Sequence, residues 1–170
     1  MKKLLSILSV FLMGLSFVSC EDEMTASTLE GTWEGDMYMY SEYSGRIYEA
    51  SYSEIEFLKD PFRYTRGKGY WVDYYSNAPW DYIANHIEWE VKDRSIYVYF
   101  VEDDVEIEIW DYRLDDDIFS GYIYYDNMKT ERFHLHHTSS PHWNDYTYGY
   151  DYWYTRAAEG EKPVRKIIGK

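Results

Sequence analysis

Apolar and polar residues alternate along most of the chain from residue 31 onwards. The segments "SEIEFL", "IEWEV", "SIYVYF" and "VEIEIW" each place apolar side chains at every second position. This period of two is typical of antiparallel strands that have one buried and one solvated face. The pattern predicts eight strands, over residues 31–40, 47–58, 62–71, 86–91, 95–101, 105–114, 118–125 and 130–137.

Short polar segments separate these strands and determine how they pair. "KDP", "KDR", "EDD" and "DDD" are turn sequences, and most links contain two to five residues. Links of this length are too short for parallel crossovers, so consecutive strands pair as antiparallel hairpins. The sequence therefore predicts an all-β fold in which eight strands close into an up-and-down barrel. A curved open sheet, folded as a two-layer sandwich, is the alternative.

Four segments resemble the sequence pattern of the lipocalin-like barrels of small bacterial lipoproteins. They are "LEGTWEG" at residues 29–35, "EFLKDPFRY" at 56–64, "IFSG" at 118–121 and "FHLHH" at 133–137, and the resemblance spans residues 29–137. It implies a calycin-type barrel, in which a tryptophan of the first strand packs under an arginine of the last. Trp33 matches the tryptophan. His137 occupies the arginine position, so only a protonated histidine would restore the cation–π contact.

An up-and-down barrel places the links after its first, third, fifth and seventh strands at one end. The two longest links, residues 41–46 and 72–85, both lie there. They carry the aromatic residues that we predict to form a ligand-binding rim: Tyr43, Tyr74, Tyr75, Trp80 and Tyr82. Such a rim would suit a small hydrophobic or carbohydrate ligand.

The interior of the predicted barrel can be read from the same alternation. The positions expected to face inward include Gly35, Met37, Met39, Ile87, Trp89, Ile107 and Ile109. An eight-stranded barrel is only just wide enough for side chains, so these residues either line a cavity or fill it.

The first residues are typical of a lipoprotein signal peptide. Lys2 and Lys3 precede an apolar stretch of 15 residues, which is shorter than the ~20 that a membrane-spanning helix needs. "FVSC" resembles the bacterial lipobox, which implies that Cys20, the only cysteine, carries acyl chains such as palmitate. We therefore predict a signal peptide over residues 1–19 and a lipidated tether over residues 20–28.

The charge of the chain restricts its partners. The sequence contains 31 acidic and 17 basic residues, a net charge of −14, and loss of Lys2 and Lys3 with the signal peptide makes it −16. Because phosphate contacts need clustered Lys and Arg, this charge argues against nucleic acid and anionic lipid as partners. Cationic partners remain compatible with it.

Candidate metal ligands occur in the last predicted strand and in two turns. His134 and His136 share a face and are suited to Zn²⁺ or Cu²⁺ if His142 or a carboxylate completes the set, although an exposed polar face is the simpler interpretation. The acids of residues 102–104 and 115–117 offer oxygen ligands for Ca²⁺, but Asp is also a favoured turn residue, and the turn interpretation is preferred.

The chain contains none of the common enzyme motifs. It has no G-x-S-x-G, no P-loop and no H-E-x-x-H, so the sequence predicts neither an enzyme nor a cofactor. Gly67 and Gly69 lie within a predicted strand and indicate a bulge or bend.

The C-terminal extension, residues 138–170, departs from the regular alternation. Its aromatic segment "WNDYTYGYDYWYTR" is predicted to add a ninth strand or to cover an opening, and its basic end is predicted to fray. Taken together, these features predict a non-enzymatic, lipid-anchored binding protein of the bacterial outer membrane, on its periplasmic or exposed face. The alternatives are an inhibitor of a cationic hydrolase and a structural component of an envelope complex.

Overall fold

The computed structural model describes residues 20–125, 128–138, 143–149 and 163–168. The predicted signal peptide lies outside the described residues, as does most of the C-terminal extension. In the described part of the chain, no helix is long and apolar enough to cross a membrane.

Eight strands form a closed antiparallel barrel, which confirms the predicted fold and rules out the open-sheet alternative. Each barrel strand pairs with the next one along the chain, and the last pairs with the first, where His137 lies opposite Trp33. The barrel strands are β1 (Gly31–Asp36), β4 (Tyr52–Asp60), β5 (Arg63–Tyr74), β6 (Tyr82–Lys92), β7 (Ser95–Phe100), β8 (Val105–Leu114), β9 (Ile118–Tyr125) and β11 (Phe133–Thr138). A two-residue strand, β10 (Met128–Lys129), also pairs with β9.

The interior of the barrel is filled by large side chains. The predicted inward positions Met37, Met39, Ile87, Ile107 and Ile109 are all buried in one continuous core. The largest fully buried side chains are Trp33, Trp71, Phe57, Phe100, Phe119 and Phe133. Of the two interpretations of the inward residues, the structure supports filling, because close-packed rings leave little room for a second molecule.

The first two predicted strands are interrupted by a separate hairpin. Residues 31–40 and 47–58 do not form two continuous strands; instead β2 (Tyr40–Tyr43) and β3 (Arg46–Glu49) pair with each other outside the barrel. A strand from the C-terminal extension, β12 (Val164–Lys166), pairs with β2 and completes a three-stranded sheet. The prediction of a frayed basic end was therefore wrong for this segment.

The predicted tether is also structured. Residues 20–29 are helical, and we call this helix α1. Asp22, Ala26 and Leu29 recur at helical spacing and are buried against the barrel, and Trp33 Nε1 donates a hydrogen bond to the Leu29 carbonyl at 2.9 Å. The sequence predicted a tether here because this segment is short and lacks alternation. Ala26 and Leu29 nevertheless lie on one face of a helix, which the barrel end buries.

Residues 143–149 pack on the outside of the barrel. A short 3-10 helix (Trp143–Asp145) stacks Trp143 on Tyr70, with ring centroids 5.1 Å apart. Tyr148 forms an isolated parallel bridge with Ala84, so this part of the extension covers the outer face of β5 and β6. The described part of the aromatic segment adds no ninth barrel strand, and it lies against the barrel wall rather than over an end.

Candidate functional site

The barrel end opposite α1 is closed by segments that are not barrel strands. We call this end the mouth, and define it by the β2–β3 hairpin, the link of residues 75–81, the turn of residues 101–104 and β12. Trp80 is buried at its centre, among edge-on contacts to Tyr43, Tyr48 and Tyr75 at centroid distances of 5.2–5.7 Å. Tyr75 is in turn tied to β2, because its hydroxyl lies 2.9 Å from Ser41 Oγ.

The mouth also contains a buried charged cluster, which sequence reasoning missed. The side chain of Arg165, in β12, is almost completely buried and pairs with Asp73 and Asp103. Its Nε donates to Asp103 Oδ2 at 2.8 Å, and its Nη2 donates to Asn85 Oδ1 at 2.7 Å. The guanidinium also lies over the ring of Phe100, 4.1 Å from the centroid. This arrangement joins two carboxylates, an amide and an aromatic face around one cation.

The carboxylates of this cluster are held by the barrel wall. Asp73 Oδ1 accepts hydrogen bonds from Ser53 Oγ at 2.6 Å and from Trp71 Nε1 at 2.8 Å. Asp103 Oδ1 is buried and has no hydrogen-bond donor among the described residues. The barrel therefore positions Asp73 independently of β12, whereas Asp103 keeps one oxygen without a donor among the described residues.

The structure brings together only part of the predicted rim. Tyr43, Tyr75 and Trp80 meet at the mouth, where Tyr75 and Trp80 are buried rather than exposed. Tyr74 and Tyr82 lie elsewhere, because they face each other in the last pair of the β5–β6 ladder. The predicted link of residues 72–85 is therefore shortened to residues 75–81.

Tyr74 and Tyr82 belong to a cluster on the outer wall. Tyr82 packs edge-on against Tyr146, with centroids 5.2 Å apart. Tyr74 donates a hydrogen bond to Glu54 Oε2 at 2.6 Å. Burial, together with the neighbouring Glu54 carboxylate, raises the pKa of Tyr74 well above its ordinary value, so this phenol stays protonated. The Tyr74 hydroxyl is also hydrogen-bonded to the Tyr146 hydroxyl, so it links the extension to the barrel wall.

Trp33 and His137, the residues proposed to close the barrel, are in contact. Their rings meet edge to face, with centroids 5.1 Å apart and planes at 88°. The imidazole also packs on Gly31, since a Cβ atom added there would lie 2.5 Å from His137 Nε2.

His134 and His136 lie on the outer face of β11. Both are exposed, and in the β1–β11 pair they lie opposite Asp36 and Glu34, respectively. His142, the proposed third ligand, lies outside the described residues. Across the described ranges, no three His, Cys, Asp or Glu side chains converge on a point that would hold a metal ion.

The two acidic turns direct their carboxylates to different partners. Glu102 accepts from His86 N at 2.8 Å, Asp103 pairs with Arg165, and Asp104 accepts from the Tyr99 hydroxyl at 2.9 Å. In the other turn, Asp115 Oδ1 accepts from the backbone N–H groups of Asp117 and Ile118. These contacts match the turn interpretation, since Asp side chains commonly bind nearby backbone N–H groups.

Comparison with known proteins identifies one family. The sequence pattern of the family described as "Lipocalin-like domain" matches residues 29–121, which extend from the end of α1 into β9. No curated protein and no solved structure gives a match.

Proposed function

Because the chain belongs to the family of lipocalin-like domains, we propose that it is a lipid-anchored binding protein of the bacterial cell envelope, without enzymatic activity. Proteins of this family are generally binding proteins rather than enzymes, and their fold is suited to small hydrophobic ligands. In this proposal acyl chains on Cys20 hold the protein at the outer membrane, and the mouth is the binding end.

The observation that carries this proposal is the different closure of the two barrel ends. At one end α1 packs Ala26 and Leu29 into the core and leaves Cys20 exposed. At the other end the closing segments come from outside the barrel, and they are held by an aromatic cluster and one arginine. An anchor at Cys20 therefore directs the mouth away from the bilayer.

The filled interior determines how a ligand enters. No barrel strand has to move if the ligand takes the place of the mouth segments, because Trp80 lies in a link and Arg165 lies in the peripheral sheet. Asp103 Oδ1 would provide an acceptor for a donor group on the ligand. Binding thus exchanges the contacts of Trp80 or β12 for contacts with the ligand.

The ligand-binding part is tested with an apolar fluorescent probe, N-phenyl-1-naphthylamine. We expect Trp80→Ala to increase saturable probe binding over the native chain, because removal of the indole opens the mouth. Trp110→Ala is the matched control, since Trp110 is partly exposed on the outer wall. Equal probe binding by both variants and the native chain would contradict a ligand site at the mouth.

The anchoring part is tested by mass spectrometry of protein purified from bacterial membranes. We expect acyl chains on Cys20 and no residues before it, and we expect Cys20→Ser to leave the membrane fraction. An unmodified cysteine in the membrane-associated chain would disprove the anchor.

Inhibition of a cationic hydrolase is a second candidate, which the filled interior and the acidic wall favour. Glu88, Glu90, Glu106 and Glu108 line the outer faces of β6 and β8, and complementary charge would accelerate association with a basic enzyme. Salt-sensitive binding and inhibition of lysozyme by the native chain would support this candidate, and binding of the probe at the mouth would favour the first.

A further inference from the structure

The most exposed large apolar side chains of the described residues all lie at the barrel end that carries Cys20. Phe62 is 89% exposed, Met24 69% and Tyr64 61%. Phe62 occupies the turn between β4 and β5, Tyr64 follows in β5, and Met24 lies on α1. Exposed aromatic residues at a projecting tip are uncommon on a soluble surface and indicate a contact with another phase or partner.

Direct contacts hold this tip close to α1. Lys59, at the end of β4, donates from Nζ to Ser27 Oγ at 2.9 Å and lies 3.6 Å from Glu30 Oε2. Asp22, two residues after Cys20, accepts hydrogen bonds from the neighbouring turn at Asp93 and Arg94. The exposed apolar tip and the proposed site of acylation therefore share one end of the barrel.

The turn itself presents Phe62 outward. Asp60 Oδ1 accepts a hydrogen bond from Phe62 N at 2.8 Å, which fixes the turn that Pro61 begins. The chain thereby holds an apolar ring in water in the turn between β4 and β5, outside the core.

We propose that the tip of the β4–β5 hairpin inserts Phe62 and Tyr64 into the interfacial region of the lipid bilayer, beside the acyl chains on Cys20. The inference rests on the proposed function for the tether, and it adds a second contact that sets the orientation of the barrel. Aromatic rings favour the headgroup level of a membrane, and Arg63 between them is placed to reach a lipid phosphate.

Charge does not drive this contact. Lys59 pairs with Glu30, Arg66 with Glu90, and Lys68 with Glu88 at 3.0 Å, so neighbouring carboxylates offset three of the four basic residues of the hairpin. The groove of about 980 Å³ beside the hairpin also contains Glu106. Insertion therefore depends on the apolar rings, and a zwitterionic membrane is the appropriate surface.

The tether makes a weak insertion effective. Two aromatic side chains alone give only weak partitioning of a protein with a net charge of −16. When Cys20 already holds the chain at the surface, insertion becomes an intramolecular step at high effective concentration. Two contacts at the same barrel end, the acyl chains and the hairpin tip, then hold the mouth pointing away from the bilayer.

The experiment places a fluorophore next to the tip in the complete, membrane-purified protein. Tyr64→Cys is labelled with a nitrobenzoxadiazole dye and mixed with excess phosphatidylcholine vesicles, whose acyl chains carry a nitroxide near the headgroup. We expect loss of emission at residue 64. Ile47→Cys is the matched control, because Ile47 is 58% exposed on the β2–β3 hairpin at the mouth, and its emission should not change.

A second variant tests whether the ring is responsible. Phe62→Asp in the labelled Tyr64→Cys protein should abolish quenching while the protein stays on the vesicles, and unchanged thermal unfolding would show that the barrel is intact. Quenching that persists in Phe62→Asp, or that is equal at residues 47 and 64, overturns the insertion.

The same samples distinguish failure of the proposed acyl anchor from failure of the proposed insertion. A second dye on Cys20 reports a chain without acyl groups, which contradicts the proposed function. In a chain that is acylated at Cys20, absence of quenching at residue 64 overturns the insertion and leaves the anchor intact.

Discussion

Arg165 shows how one residue of a peripheral strand completes a barrel that is otherwise built from other strands. Its guanidinium is buried against Asp73 and Asp103, and all of these groups lose hydration. A buried ion pair adds little net stability compared with an apolar cluster, but removal of one partner leaves an uncompensated charge inside the protein. Substitution of Arg165 is therefore expected to destabilise the mouth more than the intact ion pair stabilises it.

We predict that Arg165→Ala lowers the free energy of unfolding by about 3–5 kcal/mol, because it strands two buried carboxylates. Urea unfolding followed by tryptophan fluorescence measures the change. Lys166→Ala is the matched control: Lys166 is half exposed and pairs with Glu42 at 3.0 Å, so its loss should cost about 1 kcal/mol or less. Equal effects of the two substitutions would mean that the buried cluster contributes no special stability.

Asp115 provides a pH-dependent test at the same scale. Backbone N–H groups of Ile118 and Asp117 hold the pKa of its carboxyl below the ordinary value, because they stabilise the charged form. A lowered folded-state pKa means that the stabilisation is present at neutral pH. It is lost as the pH falls from the ordinary aspartate value through the lower folded-state value.

Asp115→Asn should therefore lower the melting temperature at neutral pH and have no effect at a pH below both pKa values. Thermal unfolding monitored by circular dichroism at the two pH values measures this difference. Asp116→Asn, at an exposed position of the same turn, serves as the control. A constant difference at both pH values would refute the role of the Asp115 charge.

Individual site residues could be predicted from the sequence only where their neighbours follow the alternation. Trp33 and His137 both lie in regular strands, and the resemblance to lipocalin-like barrels predicts their contact. Asp73 and Asn85 fall on inward positions of β5 and β6, and a polar residue on an apolar face was the available signal for a buried cluster. Their partner was not predictable, since no local pattern connects residue 165 with residue 73.

At the scale of elements, β4 and β5 approach unusually closely at the two glycines that the sequence marked as a bend. A Cβ atom on Gly69 would lie 1.8 Å from the Glu56 carbonyl oxygen, and one on Gly67 would lie 1.9 Å from that of Leu58. Both obstacles are backbone atoms, which cannot rotate away. The register between the two strands also shifts at Lys59 and Asp60, next to this approach.

Gly69→Ala should lower the free energy of unfolding by about 1–3 kcal/mol, because the strands must separate to accept the methyl group. Chemical denaturation measures the change. Gly45→Ala distinguishes this steric effect from backbone strain, because Gly45 has a φ of +69° but no atom within 4 Å of its Cβ position. We expect about 1 kcal/mol for Gly45→Ala. A smaller loss at Gly69 than at Gly45 would contradict the close approach.

The elements that differ from their predictions are those whose partners are remote in sequence. The eight barrel strands pair with chain neighbours, and short turns therefore predict them well. The β2–β3 hairpin leaves the barrel because β12 offers it a third strand, and α1 forms because the open barrel end buries Ala26 and Leu29. Tertiary contacts of this kind override local sequence preferences.

At the scale of the whole molecule, the barrel has a filled interior and two distinct ends. The alternation predicted closure, but it left open whether the inward side chains line a cavity or fill the narrow interior. The difference between the ends was only half predictable. The long links identified the mouth, but no local pattern indicated that β12, from the basic end of the extension, would cover it.

The pairing of β12 with β2 has a consequence for biosynthesis. Asp103 and Asp73 are synthesised 62 and 92 residues before Arg165, the cation that neutralises them. A shortened chain that ends before residue 165 keeps two buried acids without a counter-charge. The mouth can therefore close only after β12 has been synthesised, and we expect a chain shortened before residue 165 to be less stable than the full chain.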